Sequence, residues 1–332
     1  MVKFSSLLSG LLFVGFCLLI LPVAGGDRSS PEGLIAFWRD VFARPIEHDA
    51  QDNVSSTSAL RVALGRALFR DTRLSGRENR SCASCHLKER GFTNGLARAL
   101  GLDGRPLKRN TPTLYNLAWG KSFNWDGSAK SLEQQNLGPI LKKNELGGAF
   151  PQIVSRLSSD AILKAQFAST FPGNPIVSKD NILASLSAFE KTLVAPVTRF
   201  DRWISGDDRA LSISEKAGFK IFVGKGGCVA CHAGWRFTDD GFHDTGLPVP
   251  SLDVNGDTAG KIGLLAFKTP TLRALRMSGP YMHDGSIETL MGVVEHYSEG
   301  VQERKGLAPL LKRKLGLTIE EKEQLVSFLK TL

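Results

Sequence analysis

Two five-residue runs constrain this chain more than anything else in it: Cys82-Ala83-Ser84-Cys85-His86 and Cys228-Val229-Ala230-Cys231-His232. Two thiols spaced by two residues can form thioethers to both vinyl groups of one porphyrin. The adjoining imidazole then lies under the iron as its proximal ligand, so a C-x-x-C-H run is the attachment signature of c-type haem. An all-cysteine zinc site is one alternative, but such sites bring their pairs within a few tens of residues. Here Cys85 and Cys228 lie 143 apart (228 − 85) and a histidine follows each pair. Two disulfides are the other alternative, with three pairings open. The expectation is two covalently bound haems c, on His86 and His232.

The N-terminus fits that chemistry. Met1-Val2-Lys3 is a short basic start, Leu7 to Ala24 is almost wholly apolar, and Val23-Ala24-Gly25 offers small residues for a cut. Residues 1–26 thus read as a secretory signal, the alternative being an uncleaved anchor. Cys17 leaves with that segment, and the four remaining cysteines are all taken by the haem motifs. Haem c is attached outside the bacterial cytoplasm, so the expected compartment is the periplasm, with no membrane span in the mature chain. The formal charge is +9, which suits electrostatic steering toward an acidic partner protein. Nothing resembles a nucleic-acid module or a basic-aromatic stripe, so nucleic acid is not an expected partner.

Helical patterns dominate the rest. Ser30-Pro31-Glu32 reads as an N-cap, a proline at the first helical position and a first-turn acid, followed by Ile35, Trp38, Val41 and Phe42 at helical spacing,. Further helical runs are expected over 59–69, 131–141, 152–157, 161–171 and 181–193. Ser212-x-x-Glu215 and Thr318-x-x-Glu321 have capping-box spacing,. The polar stretch 196–208 is the expected domain boundary. A long loop, 234–267, follows the second haem motif.

An internal repeat ties the halves together. Thr111-Pro112-Thr113-Leu114 recurs as Thr269-Pro270-Thr271-Leu272, and Asp126-Gly127-Ser128 as Asp284-Gly285-Ser286. Both recur at the same offset of 158 (269 − 111, 284 − 126). The expected fold is therefore mainly α: two helical haem domains from an internal duplication, residues 27–200 and 201–332. In this register Trp125 falls where His283 falls. Above the second haem, Leu290, Val293, Val294 and Tyr297 share a helical face,. The pattern leaves Tyr297 as core or as a phenolate ligand, with His296, His243, Met282 and Met291 as rivals.

These residues resemble the family of bacterial dihaem cytochrome c peroxidases that includes MauG. The likeness rests on 64–69, Leu74-Ser75-Gly76, 81–86, Arg109-Asn110-Thr111-Pro112-Thr113-Leu114, Trp125-Asp126-Gly127 and Pro280-Tyr281-Met282-His283-Asp284-Gly285. It implies two cytochrome-c-like domains with facing haems, the one on His86 binding peroxide. By the same resemblance Gln135 and Glu145 are the distal residues, and Glu145 moves a proton between the peroxide oxygens. Trp125 is the indole between the haems. Asn110, with the carbonyls of Ser278 and Pro280, holds a calcium ion.

Two departures place the chain nearer the MauG branch. The histidine that blocks the first iron in ordinary dihaem peroxidases is Leu102 here, sixteen residues beyond His86. The methionine on their second iron is Tyr297 here, fourteen beyond His283. The resemblance then implies an enzyme using hydrogen peroxide to reach a doubly oxidised state that oxidises a partner protein at tryptophan. Tryptophan tryptophylquinone formation in methylamine dehydrogenase is the example. One feature weakens that last assignment: a hole-carrying tryptophan six residues before the second proximal histidine is Gly226 here, with Trp235 or Trp203 as substitutes. The alternatives are a cytochrome c peroxidase fed by a small cytochrome or copper protein, and a non-catalytic dihaem electron carrier.

Overall fold

The computed structural model describes residues 31–45, 59–248 and 265–332. The leader and Cys17 lie outside the described residues, as do residues 249–264 of the loop expected over 234–267. By contacts the chain divides into a short N-terminal unit ending at Asp40 and a second unit, Val41–Leu332. The first contributes most of helix α1 (Pro31–Phe42), which starts at the expected proline.

The first half of the second unit is built from α2 (Ala59–Arg70), α3 (Leu132–Leu141), α4 (Phe150–Ser158), α5 (Ala161–Thr170) and α6 (Lys179–Lys191). Capping explains where they begin: Ser131, Asp160 and Ser178 each accept a hydrogen bond from a backbone N–H of the first turn,. α2 lies against α6 at Gly65, where any Cβ would overlap the carbonyl of Ser185. That close approach buries Leu64, Leu68, Ile182, Leu186 and Phe189 in one core.

The second half has α7 (Arg199–Ile204), α8 (Ile213–Val223), α9 (Leu290–Glu295) and α10 (Ile319–Leu329). Ser212–Glu215 and Thr318–Glu321 form the expected capping boxes. α8 lies against α10 at Gly218, where a Cβ would overlap the carbonyl of Gln324. The core here is aromatic: Phe42, Phe200, Phe219, Phe222, Phe237 and Phe328 meet at ring separations of 4.9–6.5 Å. Among the described residues the only sheet is a two-residue antiparallel pair, β1 (Phe242–His243) with β2 (Phe267–Lys268).

The stretch 196–208 differs from its expected form as a polar connection. It contains α7, whose Phe200, Asp201, Trp203 and Ile204 are buried. Asp201 closes a capping box with Thr198 and pairs with the fully buried Arg273 at 2.8 Å. An acid that reads as solvated is thus an interior counter-ion, supplied by an arginine 72 residues away.

The repeat has a geometric counterpart. Asn116 and Ala274, Asn124 and Met282, and Gly127 and Gly285 are three pairs of left-handed residues at the repeat's own spacing. Bridges Phe123–Ala129 and Tyr281–Ile287 recur likewise. Thr113 Oγ1 donates to the carbonyl of Gly91, and Thr271 Oγ1 to that of Arg236, both at 2.6 Å. Each half thereby ties its Thr-Pro-Thr loop to the turn that follows its haem motif.

Candidate functional site

Each C-x-x-C-H run forms a 3-10 turn, Cys82–Ser84 and Cys228–Ala230. The backbone N–H of His86 and of His232 bonds to the carbonyl of the first cysteine, at 3.0 and 2.9 Å. These turns bring both sulphurs and the imidazole together. His86 Nδ1 donates to the carbonyl of Phe92 at 2.8 Å, and His232 Nδ1 to that of Phe237 at 2.8 Å. Phe92 and Phe237 are both left-handed, which aims their carbonyls,. Fixing Nδ1–H makes Nε2 the ligating atom and orients the ring. Burial pulls both imidazoles below the ordinary histidine range, keeping them neutral as metal ligation requires,.

All four cysteines are free thiols, which removes the disulfide reading. Burial pushes Cys82 and Cys228 up to about 12, the opposite of the lowered pKa of a reactive or zinc-binding thiolate,. Among the described residues, the one group of Cys, His and carboxylate atoms close enough to share a metal ion is Cys231, Asp239 and His243. It contains a single thiol, so no four-cysteine site exists there.

A cavity of about 670 Å³ opens over the first motif. Cys82, Cys85 and His86 line it, and so do Gln135, Glu145 and Trp125. α3 carries Gln135 one turn before Pro139, which has no N–H to offer that residue's carbonyl,. Glu145 is 23% exposed, pairs with Lys142 at 3.0 Å, and its charge helps push Cys85 up. Trp125 is held at both ends: Nε1 donates to the carbonyl of Asn110 at 2.9 Å, and its own carbonyl accepts from the Lys268 N–H at 2.8 Å.

Asn110, Ser278 and Pro280 line the same cavity. Asn110 Nδ2 donates to the carbonyls of Leu96, Ala97 and Pro280 at 3.1, 3.1 and 3.2 Å. Three oxygens thus converge on one amide, a donor set of the hard type that suits calcium. A cluster of charges joins this wall from the second half. Asp240 is buried and pairs with Arg236 at 2.5 Å and Lys268 at 3.4 Å.

At the second motif Tyr297, His296, Met282 and His243 have different surroundings. α9 continues into a π-helical turn, His296–Gly300, a geometry frequent at functional sites,. The Tyr297 hydroxyl lies within electrostatic reach of Cys228 and Cys231, and burial first, then those thiols, push it above the ordinary tyrosine range. His296 points away, its Nε2 on the carbonyl of Thr245 at 2.9 Å. Met282 lines the cavity over the first motif. His243 lies near Cys231, but its Nε2 pairs with Asp239 at 2.8 Å.

The two substitute tryptophans also part company. Trp203 is 4% exposed, packed on Phe200 and Phe219. Trp235, three residues beyond His232, is partly exposed and meets Trp119 edge-on at 4.9 Å. Gly226 has no room for an indole, since a Cβ would lie 2.9 Å from the carbonyl of Ile221 and 3.4 Å from Cys228 Sγ.

One residue at the cavity wall escaped the sequence reading: Glu190, on the buried face of α6. A glutamate between Phe189 and Lys191 carries no local signal of burial.

Comparison with known proteins agrees with this geometry. Residues 59–209 match the family model described as di-haem cytochrome c peroxidase. The chain is 43% identical to the methylamine utilization protein MauG of Methylorubrum extorquens over 93% of its own length and 87% of that protein. It is 38% identical to the MauG of Methylophilus methylotrophus, over 89% and 88%. Its fold matches the crystal structure of a MauG-like protein associated with microbial copper homeostasis, with a TM-score of 0.73 and 33% identity over 83% of this chain and 90% of that one. Paired C-x-x-C-H turns with fixed histidines, on a helical fold so closely shared, make this chain a member of the dihaem cytochrome c peroxidase/MauG family.

Proposed function

We propose that the chain is a MauG-like oxidoreductase that consumes hydrogen peroxide over His86 and oxidises a partner protein at the surface of its second half. Bound at the two motifs, the haems supply the redox chemistry, holding the two oxidising equivalents drawn from peroxide. The residues supply the rest. Gln135 and Glu145 receive peroxide, with Leu102 leaving the position above His86 open. Glu145 takes the proton from the nearer peroxide oxygen and returns it to the departing one. Trp125, pinned at Nε1 and at its carbonyl, keeps one indole orientation between the two sites. With a haem on the second motif, Tyr297 would hold its iron as a phenolate, an anionic ligand that favours the oxidised state. Trp235 with Trp119 replaces the missing tryptophan at 226 as the way out to the partner.

The observation that supports this reading is a buried Tyr297 close enough to Cys228 and Cys231 to feel their charge, at the position where a methionine would serve an electron-accepting haem. The names of the two relatives point to methylamine utilisation. A precursor of methylamine dehydrogenase, its tryptophans oxidised to the quinone cofactor, is therefore the first partner to test. Export by residues 1–26 to the periplasm, a boundary near residue 200 between two haem domains, and one calcium at Asn110, Ser278 and Pro280 belong to the same reading.

Electron paramagnetic resonance of the ferric protein, before and after one equivalent of peroxide, tests it. The expected result is one high-spin and one low-spin haem, giving a near-silent, long-lived product. Two low-spin haems that react only after reduction would overturn it. A second reading, peroxide scavenging with a small electron donor, is favoured by Gly226 alone. Fast steady-state turnover with reduced cytochrome c would establish it.

A further inference from the structure

The wall of the first cavity holds a carboxyl that the proposed chemistry leaves unused. Glu190 is 3% exposed, its Oε2 accepts a hydrogen bond from Asn136 Nδ2 at 2.8 Å, and it lines the same space as Cys82 and His86. Its charge reaches the Cys82 thiol, the sulphur that would bond the porphyrin edge. Asn136 follows Gln135 on α3, so the carboxyl is joined by one hydrogen bond to the helix that carries a peroxide-facing residue.

Arg80, Lys108, Arg109, Lys142, Arg236 and Lys268 line the same cavity, but the charge that acts on Glu190 is the anion Glu133. α3 presents Asn136 and the anion Glu133, and the haem-motif turn presents Cys82. On α2, Arg66 is an exposed residue whose guanidinium stacks over the neighbouring Phe189 ring at 5.9 Å. The 3-10 turn Leu117–Trp119, also packed on α6, carries no charge. Burial is the first cause and Glu133 adds to it, so the carboxyl keeps its proton up to about 8 despite the bond from Asn136,.

We propose that Glu190 exchanges one proton with solvent in step with the charge of the iron above His86. In a low-dielectric wall, a carboxylate is stabilised by ferric iron and less so by ferrous iron. Ferric iron with Glu190 carboxylate, plus one electron and one solvent proton, therefore becomes ferrous iron with the Glu190 acid. The electron comes from the reductant of the titration, and oxidation releases the same proton. The inference rests on the reading that a haem is seated on His86.

The test is a spectroelectrochemical titration of the doubly loaded holoenzyme at pH values on both sides of about 8. Below the break the first haem's potential should be flat. Above it, up to the higher pH at which the ferrous form also loses the proton, the ferric-to-ferrous ratio at fixed potential should rise about tenfold per pH unit, the response to one proton per electron. Glu190→Gln should abolish the break, along with a protonated-carboxyl band in the redox-difference infrared spectrum. Asn136→Ala, which removes a bond favouring the carboxylate, should move the break to higher pH and serves if the first variant loads poorly. A break unchanged in Glu190→Gln assigns it to a haem propionate and overturns the proposal. A wild-type potential without a break overturns it too. A haemochrome assay on the same samples reports haem seating separately, so failure of the underlying reading is distinguishable.

Discussion

Glu145 shows how much a single side chain is asked to do. It is partly buried, lines the cavity with His86, and is tied to the exposed Lys142. General acid–base catalysis by one positioned group contributes about 10²- to 10⁴-fold. Glu145→Gln should slow the reaction with peroxide by that order while leaving the absorption spectrum of the resting haems unchanged, which stopped-flow mixing would show. The Asp239–His243 pair beside the second motif makes a prediction about pH. The hydrogen bond that His243 donates to Asp239, aided by the Cys231 thiol, raises His243 to about 10, and the same pair holds Asp239 at about 2. The thiol's share vanishes once Cys231 is a thioether, but that of Asp239 remains. A raised histidine stabilises the fold fully below its unfolded value and loses that contribution as pH climbs toward the folded one. Thermal melts of the holoenzyme should therefore lose stability from about pH 6.5 upward, and His243→Gln should flatten that part of the curve.

At the scale of elements, both helix crossings depend on a glycine. α2 meets α6 at Gly65, and α8 meets α10 at Gly218, each with backbone carbonyl where a side chain would begin. Carbonyls within a helix cannot swing aside, so the helices themselves must separate. Gly65→Ala and Gly218→Ala should each cost about 1–3 kcal/mol or more, read as a lowered melting temperature. The first should also loosen the wall that carries Glu190, since α6 supplies both Ser185 and Glu190. Helix starts were legible from sequence because a cap is a local device: Ser212 and Glu215, or Thr318 and Glu321, need only each other. The segment 196–208 reads as a polar stretch because the partner that makes Asp201 an interior residue, Arg273, is distant in the chain.

For the molecule as a whole, a formal charge of +9 would make encounter with the proposed protein partner electrostatic,. Oxidation of an acidic partner should slow as ionic strength rises, while the reaction with peroxide, a neutral molecule, should not. Trp235→Phe should lower the partner step by about tenfold, or about 1.4 kcal/mol of barrier, again with the peroxide step unchanged. Trp203→Phe should instead be felt as lost packing, because that ring is enclosed by Phe200 and Phe219.

What the sequence by itself determined follows from chemistry that is contiguous in the chain. The C-x-x-C-H runs, the repeat at constant offset and the helical caps are short-range patterns, and they sufficed for the haem sites, the mainly α fold and the family. Only the tertiary structure decided the matters that depend on distant segments meeting. It buried Tyr297 within electrostatic reach of the second thiols and set His296 on the carbonyl of Thr245, and it pinned Trp125 between Asn110 and Lys268. It also sent Trp203 into a core while leaving Trp235 against Trp119. Glu190 is the limiting case: a glutamate reads as solvated wherever it stands, and its burial follows from what α3 and the first haem motif place over it.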